Sequence, residues 1–487
     1  MLLKPIRNSN RRTTSDFLSS LGKYFSTSRQ SAVDLASKDG EMRIFLVAGE
    51  ASGDAIGSRL IAALTKLSPF PIHIAGVGGS MMAKHGLKSV FPMEDIAVMG
   101  IWELLPHLNK FQVRLKQTFE AAISFNPHVI VTIDSKGFSF RLLKQLRARY
   151  GQKGPLHFHY VAPSFWAWKG GEARLKGLSE FIDHVLCILP FEEEVCISNG
   201  LPATFVGHPI LEDSIDLNSV ATEKGWKVQG NADMFRGKYG ISSGSRILSL
   251  LPGSRLQEVT QDHIKRTTNE WPTHVVLVPG GSPHTKYDAF SASSVALCTS
   301  GTAAMELQLV RLPCVIAYRA HFLTEWAIRY KAKIPYISLP NILLNSPVIP
   351  EALFRHCSPK KLACLLTEVM CNEGVREEQV VAAERVMELL RPPQGGNLGF
   401  DNTAKNNTTM KPMAFLCLSA ILMASILIQE TKAEAPACDP RDPNCVVNPS
   451  RKNPLVIEGS KEDKEAEREK EDDTPEIIIV GHRKMSR

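Results

Sequence analysis

The first group in this chain that could do chemistry is a carboxylate set directly behind an apolar run. Val129 to Ile133 is followed by Asp134-Ser135-Lys136-Gly137-Phe138. Such a run reads as a buried strand, and an Asp at its carboxyl end is poised to accept a proton from a substrate hydroxyl. The same residue type also suits the cap of a helix beginning near Phe140. A second set, Gly49-Glu50-Ala51-Ser52-Gly53-Asp54 with Gly57 beyond it, follows the apolar run Ile44 to Ala48. Its G-x-x-x-G-x-x-x-G spacing differs from the G-x-G-x-x-G of dinucleotide binding, and a central carboxylate would repel a pyrophosphate. A dehydrogenase is therefore disfavoured, and Asp54 is either a substrate contact or a cap near the helix start.

Two further loops suit anions. Leu251-Pro252-Gly253-Ser254-Arg255 follows an apolar run, and its Gly and Ser let backbone N–H groups approach a phosphate while Arg255 offers a bidentate fork. Thr299-Ser300-Gly301-Thr302-Ala303-Ala304-Met305-Glu306-Leu307 opens a helix with small residues, an arrangement that suits an anion at a helix N-terminus. Glu306, one turn in, is placed to hydrogen-bond ribose hydroxyls. Two phosphate-type loops facing a carboxylate imply a nucleotide-activated donor meeting an acceptor.

The elements that must hold these loops alternate short apolar runs with amphipathic stretches, the pattern of βαβ units and parallel sheets. Strands are expected at Ile44–Ala48, Ile72–Ala75, Val129–Ile133, His157–Val161, His184–Ile188 and Thr204–Val206, then at Ile247–Leu251, His274–Val278, Val295–Cys298 and Cys314–Ala317. The fold class is α/β, with two Rossmann-like halves, 39–209 and 246–395, joined by a linker at 210–245. Ligands in open α/β sheets lie beyond the carboxyl ends of the strands, where all four loops fall.

The ends read differently. Residues 1–38 hold seven Lys or Arg, two Asp and eleven Ser or Thr, an acid-poor amphipathic composition that predicts an organelle transit peptide, mitochondrial rather than chloroplast on its arginines. Residues 396–487 read as a spacer, an apolar run from Met413 to Ile428 with the order of a secretory signal peptide, and a disordered charged tail, together an unrelated extension without catalytic residues. The formal charge of +7 lies largely in the N-terminal arm, so the body gives no electrostatic case for nucleic acid. The ten Cys are scattered without a C-x-x-C pair, which argues against a zinc site and for a reducing compartment.

Ordered motifs over residues 39–395 resemble the lipid-A-disaccharide synthase family: AGEASGD from Ala48, GVGG from Gly76 with Met81, VMG from Val98, IDSKGF from Ile133, HYVAPSFWAW from His159, LPFE from Leu189, FVGHP from Phe205, LLPGSR from Leu250, SGTAAMEL from Ser300 and SLPN from Ser338. The resemblance implies a GT-B glycosyltransferase with two Rossmann-like domains facing across a cleft. The implied reaction is inverting transfer of 2,3-diacylglucosamine from its UDP donor to 2,3-diacylglucosamine 1-phosphate, with no metal or cofactor. Carried over by motif, Asp134 is the general base, Glu50, Ser52 and Asp54 line the acceptor side, and Arg255, Ser300, Gly301, Thr302, Glu306 and Asn341 hold UDP. Phe165, Trp166 and Trp168, or the stretch from Trp326 with Arg329, Lys331 and Lys333, would meet acyl chains or a membrane surface peripherally.

Two departures from the family stand out. Lys136 replaces a small or Pro residue beside Asp134, and a cation there is expected to lower the carboxyl pKa. Only 19 residues separate Arg255 from Val275, an interval in which the family usually places a further strand and helix, so the order of the second sheet is open.

Overall fold

A computed structural model describes residues 32–97, 108–212, 227–251, 266, 268–269, 271, 273–278, 283–299, 301–320, 322–392 and 476–480. They form two six-stranded sheets in which every pair of neighbouring strands is parallel. The first contains β1 (Met42–Ala48), β2 (Ile72–Val77), β3 (Val129–Ile133), β4 (Leu156–Tyr160), β5 (His184–Cys187) and β6 (Ala203–Phe205), in the order β2-β1-β3-β4-β5-β6. The second contains β7 (Ile247–Leu251), β8 (Val275–Val278), β9 (Val295–Cys298), β10 (Cys314–Tyr318), β11 (Glu351–Leu353) and β12 (Glu476–Val480), in the order β11-β10-β9-β7-β12-β8.

The strands form where continuous apolar runs demand burial on both faces. All five residues of β3 and of β4 are buried, and only Arg43 breaks that pattern in β1. Helix Ala51–Leu67 covers one face with Ile56, Leu60, Ile61 and Leu64, and the other face packs Phe45 and Val47 against Phe138, Leu142 and Leu146. The second sheet is cored by Ile247, Leu251, Ala296, Cys298 and Ile316 with helix Thr302–Val310, all eight of whose residues from Ala303 onward are buried.

Two expectations change. The interval 210–245 is not linker throughout. Helix Ala232–Tyr239, capped by Asn231 accepting from Met234 N–H at 2.9 Å, buries Phe235 in the second core. The tail is not disordered throughout either, because Glu476–Val480 is the strand between β7 and β8, with Ile478 fully buried. Residues 1–31 of the expected transit peptide and the whole Met413–Ile428 run lie outside the described residues. Among those described, no helix is long and apolar enough to cross a membrane.

Candidate active site

In both sheets the chain reverses direction of growth beside a central strand, and the candidate loops emerge at those two points. Ala48 of β1 is in register with Ile133 of β3, and Ile133 with Tyr160 of β4, so Gly49, Asp134 and Val161 leave the sheet side by side. Leu251 of β7 is in register with Cys298 of β9, so the two strands end side by side. Ligand crevices of open α/β sheets lie at such reversals.

The backbone at the first crevice is strained. Asp134, Ser135 and Val161 have φ of +48°, +46° and +77°, a left-handed region that non-glycine residues rarely enter and that β-branched Val enters least readily. The Asp134 N–H donates to Tyr160 O at 3.0 Å, and its carbonyl accepts from Ser139 Oγ at 2.8 Å. These bonds fix the turn that projects the Asp134 side chain. Such strain persists only where surroundings over-determine it, and it concentrates at working sites. Glycine is needed alongside, since a Cβ on Gly49 would lie 2.5 Å from Ser135 Oγ.

Burial raises the Asp134 pKa above its ordinary value, against the opposing pull of Lys136 and of the Ser135 N–H. The expected lowering by Lys136 is present but is not the largest influence. The cation acts in the predicted direction, but desolvation of the buried carboxylate outweighs it. Lys136 Nζ donates to Ser164 Oγ at 3.3 Å and lies 6.0 Å from the Phe165 ring centre. Behind it, burial first and Lys136 second hold fully buried His159 down at about 3, so its imidazole is neutral, with Nδ1 2.8 Å from Thr132 Oγ1.

Glu50 is half-buried at the start of helix Ala51–Leu67, and Ser52 is exposed. Asp54 is different. Its buried carboxylate accepts from the N–H groups of Gly79 (2.8 Å), Met81 (2.9 Å) and Met82 (3.0 Å). It holds the loop after β2. Asn341 is also turned inward. Its Nδ2 donates to Ile349 O (2.8 Å) and Glu351 Oε1 (2.9 Å), while Oδ1 accepts from Ile349 N–H (2.9 Å), so the amide is occupied internally.

In the second crevice Gly301, at φ +104°, starts the helix that carries exposed Thr302 and buried Glu306. Glu306 Oε1 accepts from Lys286 Nζ at 2.7 Å, and Oε2 has no hydrogen-bond partner among the described residues. An unsatisfied buried carboxylate oxygen costs free energy unless a donor arrives, and a ribose hydroxyl is such a donor. Arg255 and Ser300 lie outside the described residues.

Glu192 was not singled out from the sequence. Its carboxyl is fully buried, accepts from Trp166 Nε1 and from Leu189 N–H, both at 3.1 Å, and is pushed by burial up to about 7. In the sequence Glu192 is the last residue of the LPFE motif from Leu189 and the first of the acidic run Glu192-Glu193-Glu194. The Trp166 loop reaches the second half: Lys169 N–H donates to Lys331 O and Lys333 N–H to Ala167 O, both at 2.8 Å, with Trp168 bridging Ala332. Nearby, Trp326 and Tyr330 stack at 5.9 Å between ring centres and are 66% and 65% exposed, beside Arg329, Lys331 and Lys169. A largely apolar cavity of about 440 Å³ lies between helices Leu108–Phe125 and Lys136–Tyr150, lined by Phe111, Leu115 and Phe119 together with Lys116 and Arg141.

The family model for Lipid-A-disaccharide synthetase matches residues 44–279 and 272–396. A probable mitochondrial lipid-A-disaccharide synthase of Arabidopsis thaliana is 55% identical over 415 residues, covering 77% of this chain and 90% of its own. The lipid-A-disaccharide synthase of Rhodospirillum centenum is 39% identical over 367 residues, covering 69% and 87%. A UDP-GlcNAc 2-epimerase structure from Neisseria meningitidis aligns at 10% identity with a TM-score of 0.46, covering 72% and 99%.

Proposed function

Because the chain belongs to the lipid-A-disaccharide synthase family, we propose that it is an inverting GT-B glycosyltransferase that moves 2,3-diacylglucosamine from UDP to 2,3-diacylglucosamine 1-phosphate in the mitochondrion. The observation that carries this reading is Asp134, a desolvated carboxylate with raised pKa at the reversal point of the first sheet. It takes the proton of the acceptor 6-hydroxyl as that oxygen attacks the anomeric carbon, and the bond to the diphosphate breaks with its electron pair leaving on UDP. One base and a stabilised leaving group suffice for inversion by direct displacement. Arg255 and the loop from Ser300 to Thr302 would meet the diphosphate, and Glu306 Oε2 the ribose. Glu50 and Ser52 would contact the acceptor sugar.

The lipid character of both substrates fits two features. The cavity lined by Phe111, Leu115 and Phe119 would shelter acyl carbons, on the helix pair that begins beside Asp134. The stacked Trp326 and Tyr330 with surrounding cations would rest on an anionic membrane surface, aromatic rings at headgroup level and charges toward phosphates. The matching relative named mitochondrial and the composition of residues 1–38 support the location.

The test is UDP release by the full chain given UDP-2,3-diacylglucosamine and 2,3-diacylglucosamine 1-phosphate. Release should require the acceptor and fall by about 10²- to 10⁴-fold in Asp134→Asn, the range of a general base. Undiminished release in that variant would remove Asp134 from the mechanism. Retained UDP binding without acceptor-dependent release would replace the transferase with a binding protein of the same fold.

A further inference from the structure

The second sheet contains a strand that its own local sequence does not supply. β7 and β8 are consecutive among the strands of residues 247–278, yet they are not neighbours, because β12 lies between them. Glu476 to Ile479 is in register with Ile247 to Leu250, and Ile477 to Val480 with Val275 to Val278. Without residues 476–480 the facing edges of β7 and β8 would be one strand-width apart and unpaired with each other, and Ile478 would vacate a core that includes Ile247, Leu251, Val276, Val278, Tyr287 and Phe290. An open slot with two free edges and an apolar floor recognises a partner of definite chemistry: a short extended segment, rich in β-branched residues, able to pair with backbone on both sides. Glu476-Ile477-Ile478-Ile479-Val480 is such a segment, set in an otherwise charged tail.

We propose that the gap between β7 and β8 is a strand-acceptor site and that residues 476–480 are its occupant, inserted from the distant C-terminus of the same chain. The inserted strand determines whether the second half is a continuous sheet. It also holds β7 up to its last residue, Leu251, because that strand is clamped between β9 and β12. The C-terminal segment is accordingly part of the fold, and removing it leaves an edge open to intermolecular pairing. The proposal concerns the sheet and does not depend on the reaction catalysed.

The full chain carrying Ser249→Cys with Ile478→Cys tests it, since these residues are register partners and both are fully buried. Mild oxidation should link the two positions within one chain, read by mass spectrometry of the joined peptides, with the parent chain as control. No link, or a link only between two chains, would overturn the proposal. A second arm uses a chain ending at residue 475 and a synthetic peptide of residues 474–482. Amide hydrogens of β7 and β8 should lose protection in the shortened chain, or the chain should fail to fold. Co-refolding with the peptide should restore protection, and the same peptide with Ile478→Asp should not. Unaltered protection in the shortened chain, or no restoration by the peptide, would also overturn it.

Discussion

The Trp166 indole donates to Glu192 Oε1 at 3.1 Å, so the loop that reaches into the second half hangs on a carboxyl whose pKa burial holds at about 7. The unfolded carboxyl titrates near 4.5. Between these values the native state keeps a proton that the unfolded chain has released. The stability this confers is complete below about pH 4.5 and is lost as pH rises to about 7. Glu192→Gln has no such loss. Relative to that variant, the parent should weaken by about 3 kcal/mol between pH 4.5 and 7, read from urea midpoints at stepped pH. Parallel curves would sink the assignment. The neutral buried His159, His184 and His208, held down at about 3, 4 and 4, titrate with the opposite sign and cancel in this difference.

Lys136 pulls the Asp134 pKa down while burial pushes it up further. In the pH profile of kcat/KM the acid limb should therefore lie above the ordinary Asp value, and Lys136→Met should move it to higher pH. A limb that stays in place or moves down would show that the two charges do not communicate.

Asp54→Ala strips three buried or half-buried N–H groups of their acceptor at Gly79, Met81 and Met82. The expected cost is about 3 kcal/mol in denaturant unfolding, from lost charge-assisted bonds and donors left unsatisfied. A cost near zero, with acceptor KM raised instead, would return Asp54 to the substrate.

Asn341 and Glu306 should part company. Asn341→Ala should reduce stability by about 2 kcal/mol and leave UDP affinity of the folded protein unchanged, because among the described residues its amide bonds Ile349 and Glu351. Glu306→Gln should weaken UDP by about tenfold, because it alters the one carboxylate oxygen there without a partner among the described residues. Calorimetry with UDP and thermal melts of the same samples distinguish the two, and a reversed pattern would exchange their roles.

Replacing Trp326 and Tyr330 together by Ser should lower sedimentation with anionic vesicles by about tenfold, with turnover of short-chain soluble substrates retained. Added salt should weaken what binding remains, through the neighbouring cations. Equal sedimentation of parent and variant would place the membrane contact elsewhere.

The sequence alone determined the strands and the loops behind them. Ten apolar runs predicted in two series are strands within one or two residues, because burial on both faces of a parallel sheet demands continuous apolar sequence and that demand is local. It also determined that Asp134 follows a strand, since position after a run needs no knowledge of neighbours. What Asp54, Asn341 and Glu192 do was decided by tertiary structure, because a polar side chain's role depends on which donors the fold brings within 3 Å, and those came from Gly79, Ile349 and Trp166. β12 was decided in the same way. Four β-branched residues in the tail were a visible signal, but only the gap between β7 and β8, formed far earlier in the chain, makes them a strand. A strand's edge hydrogen bonds are satisfied by whichever segment fits, and sequence distance enters only as a slowly growing entropy of closure.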